Sequence, residues 1–349
     1  MYNSIYKNIS VFIFLIVSFF IFPKQLFATH AAGGEITYQW ISGSTYKINY
    51  IFYRDCAGAG EPATVTLAYS SNCTPSFCST ITLNKAATTS SGAINGTEVS
   101  IGCPNSPSRC VSASSTIPGY REWVYTANVT LPNQCSIWKF YTCVNARNNA
   151  INNLVTPGGQ NLYVEATLNN LVAQGNSSPF FANKPTPYVC TGSPLNYSNV
   201  AIDPNNDSLV YDLIQPRTSS TFTASCATVP TNINFSSTIY NLSTNPLDCN
   251  NTFSFNPSNG QMSFTATNQQ VAALTARVRE YRNGVLIGSI IRDIQVIVRN
   301  CINSISIPNF RLDTSSITGG SWVGNRIENC GGNPFTFCIS SKTTTPNAK

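Results

Sequence analysis

Beyond residue 30 the chain alternates large apolar and polar side chains with a period of two, the pattern of strands that bury one face. In Glu35-Ile36-Thr37-Tyr38-Gln39-Trp40 the large apolar residues fall at every second place, and Tyr46, Ile48, Tyr50 and Phe52 repeat the pattern beyond Ser42-Gly43-Ser44. These runs predict a β-hairpin. Val65, Leu67 and Tyr69 continue the alternation, as do Trp123, Tyr125, Ala127 and Val129; Ile137 leads through Trp138 and Phe140 into another strand, and Leu162 to Leu168 closes the group. Because Tyr38, Trp40, Tyr46, Tyr50 and Phe52 share strand faces, most of them are expected in a core rather than on a sugar platform.

A second group opens near Pro185. Ser208 to Ile214, Thr252 to Phe255, Gln261 to Ala266 and Leu274 to Tyr281 are strand-like runs bounded by Asn, Pro or Gly, and a last strand carries Ile294, Val296 and Val298 on one face. Asn259-Gly260 and Asn283-Gly284 are dipeptides that accept positive φ at both turn positions, so each predicts a tight hairpin. Short strands at such intervals are the signature of an immunoglobulin-like or cadherin-like sandwich. The pattern Cys190, Gly192, Pro194, Tyr197 recurs as Cys330, Gly332, Pro334, Phe337, which marks the start of a further sandwich too close to Lys349 to close a core. The expected fold class is therefore all-β, with tandem immunoglobulin-like or cadherin-like β-sandwich domains and disulfides. The expected organisation is a signal peptide over 1–28, a Cys-rich N-terminal β domain over 29–180, a cadherin-like or immunoglobulin-like sandwich over 181–300, and a linker with a truncated start of another sandwich over 301–349.

The signal peptide rests on Lys7, the apolar run from Ile9 to Phe22, then Pro23, Lys24 and the small residue Ala28. The run is too short for a stable bilayer span, and no membrane span is expected in the mature chain. Cleavage after Ala28 lowers the formal charge of +6 by two lysines, and the remaining basic residues are scattered singly. A nucleic-acid footprint needs them clustered, so no nucleic-acid partner is expected. Thirteen cysteines behind a signal predict disulfides in an oxidising compartment. An odd count leaves at least one thiol over. Cys226 and Cys249, inside the second domain's loops, are expected to pair, whereas Cys135 and Cys143, on one straight strand, stand too far apart to do so.

Catalytic constellations are hard to build. A Ser or Cys nucleophile needs a base in reach, and the sole histidine, His30, lies at the mature terminus. The sequence has no nucleophile elbow, zincin motif or phosphate loop, and Asp203 with Asp207 is the obvious carboxylate pair for glycoside hydrolysis. The same turn, Asp203-Pro204-Asn205-Asn206-Asp207, sets side-chain oxygens at alternate places, the spacing by which short loops wrap a hard cation. Asp203, Asn205 and Asp207 are thus candidate calcium ligands; the alternative is an Asx/Pro turn before the strand Leu209-Val210-Tyr211.

Several segments resemble a known family. Ala28-Thr29-His30-Ala31-Ala32-Gly33-Gly34-Glu35-Ile36 and Tyr53-Arg54-Asp55-Cys56 look like the start of the large secreted Bacteroidetes proteins described as gliding motility-associated C-terminal domain proteins. Trp138 through Cys143 with Arg147-Asn148, then Ser177-Ser178-Pro179, Ala201-Ile202-Asp203-Pro204, Asp207-Ser208-Leu209-Val210-Tyr211, Glu280 to Gly288, and Arg292-Asp293-Ile294-Gln295-Val296 follow in the same order. The resemblance implies export through Sec and then the type IX system, residence at the cell surface or outside the cell, and cadherin-like calcium sites. Asn205 and Asn206 stand where that family carries Asp-Gly, which implies a weaker site.

The expected function is a non-enzymatic, exported surface adhesion or structural module, calcium-stabilised and linked to gliding or attachment. Its expected partners are other surface proteins or extracellular polysaccharide. The runner-up is a carbohydrate-binding or substrate-capture module, and a glycoside hydrolase comes third.

Overall fold

The computed structural model describes residues 31–99, 107–186, 188–220 and 229–301, and the backbone of the strands beyond them. The chain divides into two compact units, Met1–Arg299 and Asn300–Lys349. In the first unit the strands are β1 (Ala31–Ser42), β2 (Thr45–Asp55), β3 (Thr64–Ser71), β4 (Phe77–Lys85), β5 (Glu98–Val99), β6 (Tyr120–Thr130), β7 (Trp138–Val144) and β8 (Leu162–Leu168). They are followed by β9 (Phe180–Phe181), β10 (Val189–Cys190), β11 (Pro194–Ser198), β12 (Ala201–Ile202), β13 (Ser208–Ile214), β14 (Arg217–Thr218), β15 (Thr231–Asn232), β16 (Ser254–Phe255), β17 (Gln261–Thr265), β18 (Gln270–Arg282) and β19 (Val285–Arg299). In the second unit, of β20 (Asn309–Thr318), β21 (Ser321–Val323), β22 (Arg326–Glu328) and β23 (Thr336–Lys342), the outer two pair with each other and so do the inner two. The fold is all-β: among the described residues the helical part is a single turn at Pro157–Gly159. No helix among them is long and apolar enough to cross a membrane.

The principal sheet closes on itself. Its order runs β1-β2-β6-β4-β3-β7-β8-β19, and β19 also pairs with β1. Strand β19 can do this because its length serves two neighbours on one edge: Gly288 to Ile290 face β8, and Arg292 to Ile294 face β1. The closed sheet surrounds a core in which Tyr38, Tyr50, Tyr125, Trp138 and Phe140 are almost wholly buried. The inward side chains are those of the period-two pattern at even positions, Ile36 and Tyr38 on β1 and Tyr46 to Phe52 on β2; Trp40, expected in the core by the same pattern, is instead 41% exposed at the end of β1.

Strands β18 and β19 extend beyond this core and form one wall of a second. There Leu274, Ile294, Val296 and Val298 pack with Tyr197, Met262 and Phe264 of the three-stranded sheet β11-β17-β16. Two layers of strands thus face each other across this second core, a sandwich-like arrangement. The expected boundary at 180 is not a break in the fold, because β19 is hydrogen-bonded to both β1 and β8 and residues up to Arg299 form one unit. A hairpin as long as β18–β19 is shared by two cores more readily than it is split between two domains.

The turns follow residue chemistry. Asn283 and Gly284 both take positive φ, 53° and 79°, in the two-residue turn of the β18–β19 hairpin. At the other dipeptide only Gly260 does so, with φ 69°, and its N–H bonds the carbonyl of Asn256, so that connection is longer than the tight turn the dipeptide predicts. Strand β4 has no counterpart in the expected elements. Only Phe77, Ile81 and Leu83 interrupt its Ser and Thr, too sparse an alternation to announce a strand.

Disulfides join Cys56 to Cys110 and Cys73 to Cys135, and Cys78, Cys190 and Cys301 are also disulfide-bonded. Cys135 and Cys143 do not pair, as expected: the first is bonded to Cys73 and the second is a free thiol. Cys226 lies outside the described residues, as do the signal segment and His30. Cys249 carries a free, buried thiol that donates to Asn245 Oδ1, which offers the expected Cys226–Cys249 bridge no support.

Candidate functional site

The turn between β12 and β13 is built by Asp203. One of its carboxylate oxygens, Oδ1, accepts the backbone N–H groups of Asn205 (2.8 Å) and Asp207 (2.9 Å), and Asn206 takes a φ of 62°. Asparagine tolerates this left-handed conformation better than most residues, which accounts for its standing where a glycine would serve. The turn therefore has the Asx form, and it also aims the second oxygen of Asp203 inward. That oxygen, Oδ2, is buried with no hydrogen-bond partner.

Opposite it lies Glu280 near the end of β18, fully buried. Its Oε1 accepts the Asn176 amide at 2.7 Å, while Oε2 is buried without a partner. The cross-strand neighbour of Glu280 is Gly288, where a Cβ would lie 2.6 Å from Oε2 and 2.7 Å from the Tyr38 hydroxyl. A glycine at that register is what leaves room for the carboxyl. Ligand oxygens of Asp203, Asp207 and Glu280 all lie within 4.8 Å of one another. Burial is the main reason the Glu280 carboxyl is pushed up to about 9; the Asn176 hydrogen bond opposes the rise, and the nearby charges of Asp203 and Asp207 add to it.

Arg282 is the cluster's own cation. Its Nε and Nη2 reach Asp207 Oδ1 and Oδ2 at 2.8 and 2.6 Å, and Nη2 also donates to Asn176 Oδ1 at 2.7 Å. Of the three residues the sequence singles out for calcium, Asp203 and Asp207 face the cluster. The amide oxygen of Asn205 is instead spent on the Ser177 N–H, at 2.9 Å. Asn176 and Arg282 were not legible as members, since only the folded register brings them to the turn.

Neither a family model, nor a curated protein, nor a solved structure matches the chain.

A second feature lies on the outer face of β1 and β2, a cleft of about 630 Å³. Its floor includes Thr37, Gln39, Lys47 and Asn49, with Thr37 directly opposite Asn49 and Gln39 opposite Lys47. Its walls are residues 88–91 and 177–184. Lys184 ties them together, reaching Glu122 at 2.6 Å and the Ser91 hydroxyl at 3.2 Å. At the inner end Arg292 pairs with buried Glu35 and lies over the Phe181 ring, 3.9 Å from its centre. The period-two pattern places the four floor residues on an outward face; that two distant segments would wall them in was not written in it.

Proposed function

We propose that this chain is a non-enzymatic, exported module of the cell surface, adhesive or structural in role, and stiffened by calcium at Asp203, Asp207 and Glu280. The observation that carries the reading is the pair of buried, partnerless carboxylate oxygens, Asp203 Oδ2 and Glu280 Oε2, held side by side. Two acceptors without a donor between them call for a proton or a cation. An all-oxygen, multiply acidic donor set is the one hard cations such as calcium prefer. Because Arg282 already engages both oxygens of Asp207, calcium competes with an internal cation and the affinity is that of a weak extracellular site.

The disulfide-bonded, closed β-scaffold supports an extracellular setting, where such bonds persist. The resemblance to gliding motility-associated C-terminal domain proteins extends the proposal to type IX export and to attachment or gliding. Antibody labelling of intact producing cells, combined with an attachment assay of cells lacking the chain, tests it. The expected result is surface labelling and reduced attachment that a calcium chelator mimics; labelling only after lysis would refute the reading.

A further inference from the structure

We propose that the cleft over β1 and β2 is a binding site for a neutral oligosaccharide segment, with Thr37, Gln39, Lys47 and Asn49 as its hydrogen-bonding floor. This goes beyond the surface-module reading and does not depend on calcium at the acidic cluster.

Four polar side chains meet in two cross-strand pairs, Thr37 with Asn49 and Gln39 with Lys47. Directly opposed residues hold their Cβ atoms about 5 Å apart, and the next pair follows about 7 Å along the strands. The side chains of all four make no hydrogen bond or ion pair among the described residues. Neighbouring polar groups, by contrast, are committed: Glu122 to Lys184 and Ser90, Glu35 to Arg292 and Tyr53, and the Ser177 and Ser178 hydroxyls to the β1 backbone. Donors and acceptors are thus left over on the floor, and they are walled on two sides.

The volume falls within the roughly 300–1,000 Å³ of pockets that enclose small ligands. Among the described residues one floor charge, Lys47, lacks a carboxylate partner. The other floor groups are neutral donors and acceptors, which suits hydroxyls. Phe180, 44% exposed, lines the same cleft and offers an apolar ring for the face of a sugar.

An extended peptide fits less well. Peptides bind sheets through the backbone groups of a free edge, and the cleft lies on a face. The nearby edge of β1 is already closed: Tyr38 N–H donates to the Ser178 hydroxyl at 3.0 Å, Ser178 N–H to the Tyr38 carbonyl at 2.9 Å, and Trp40 N–H to the Ser177 hydroxyl at 3.0 Å. What remains for a ligand is a set of side-chain groups, which a polyhydroxylated chain satisfies from any direction.

Calorimetric titration of the intact, disulfide-bonded chain with cello-, laminari-, malto-, manno- and chitohexaose tests the proposal. At least one should bind with a dissociation constant below about 1 mM. Thr37→Val and Asn49→Ala should each weaken that binding about three- to tenfold, the value of one net hydrogen bond, with an unchanged melting temperature. Asn49→Trp, which fills the cleft, should abolish it. Two results would overturn the proposal: no binding by any of the five sugars, or binding that both Thr37→Val and Asn49→Ala leave unchanged. Thr37→Val, which is isosteric, and Asn49→Ala, which only shortens an outward side chain, keep the test decisive should Asn49→Trp fail to fold.

Discussion

Burial holds a proton on Glu280 far above the range of an exposed glutamate, and the sign of the consequence follows from linkage. The folded carboxyl titrates near 9, whereas the unfolded one titrates near 4.5. Between those values the native state keeps a proton that the unfolded state has released, so stability is fullest below about 4.5 and declines as pH rises towards 9. Thermal unfolding in a calcium chelator should show a melting temperature that falls between pH 5 and 8, and Glu280→Gln should flatten that fall by more than about 2 °C. An equal pH slope in the variant would place the proton elsewhere. The same scale explains the polar residues within the family-like segments. Arg147 forms two 2.7 Å bonds with Asp293, which also accepts the Thr275 hydroxyl, and Arg292 pairs with Glu35; all four ion-pair members are buried. Such pairs add little net stability over apolar residues but leave a costly charge when one partner is removed. Those residues were visible as motifs in the sequence, and their partners were not, since Glu35 and Arg292 stand 257 residues apart.

Individual strands were legible because alternation is local. Leu162 to Leu168 matches β8 in both bounds, and the first hairpin lies where Ser42-Gly43-Ser44 predicts it. Strand β4 was not, since Ser79 stands between Phe77 and Ile81 on its inward face and interrupts the apolar alternation. It also carries a bonded cysteine, Cys78, and follows another, Cys73. The Cys73–Cys135 bond spans 62 residues and fastens the β3–β4 connection to the approach to β7. In the chain-entropy treatment a loop of that length is worth about 4 kcal/mol. Replacing both cysteines by serine should lower the unfolding free energy by about that amount in urea titration, with Cys56–Cys110 intact. A loss under about 1 kcal/mol would mean that pairing alone fixes β3, β4 and β7.

At the scale of the whole molecule, the hairpin β18–β19 decides the arrangement. It closes the first sheet, walls the second core, and carries Glu280 and Arg282 to the Asp203 turn. The sequence announces the hairpin through Asn283-Gly284, yet assigns it to one domain, because apolar periodicity shows that a face is buried and not against what. The acidic cluster was half legible for the same reason: Asp203 and Asp207 belong to one turn, while Glu280 arrives by register. The most direct test of the central claim is thermal unfolding of the intact chain at pH 8 as calcium is added after chelation, beside Asp203→Asn, which keeps an oxygen to accept the turn's N–H groups. With a dissociation constant of about 0.1–1 mM, 10 mM calcium should raise the melting temperature by about 3–10 °C in the native chain and leave the variant unchanged. The same melting temperature with and without calcium, or an equal rise in Asp203→Asn, would contradict the account.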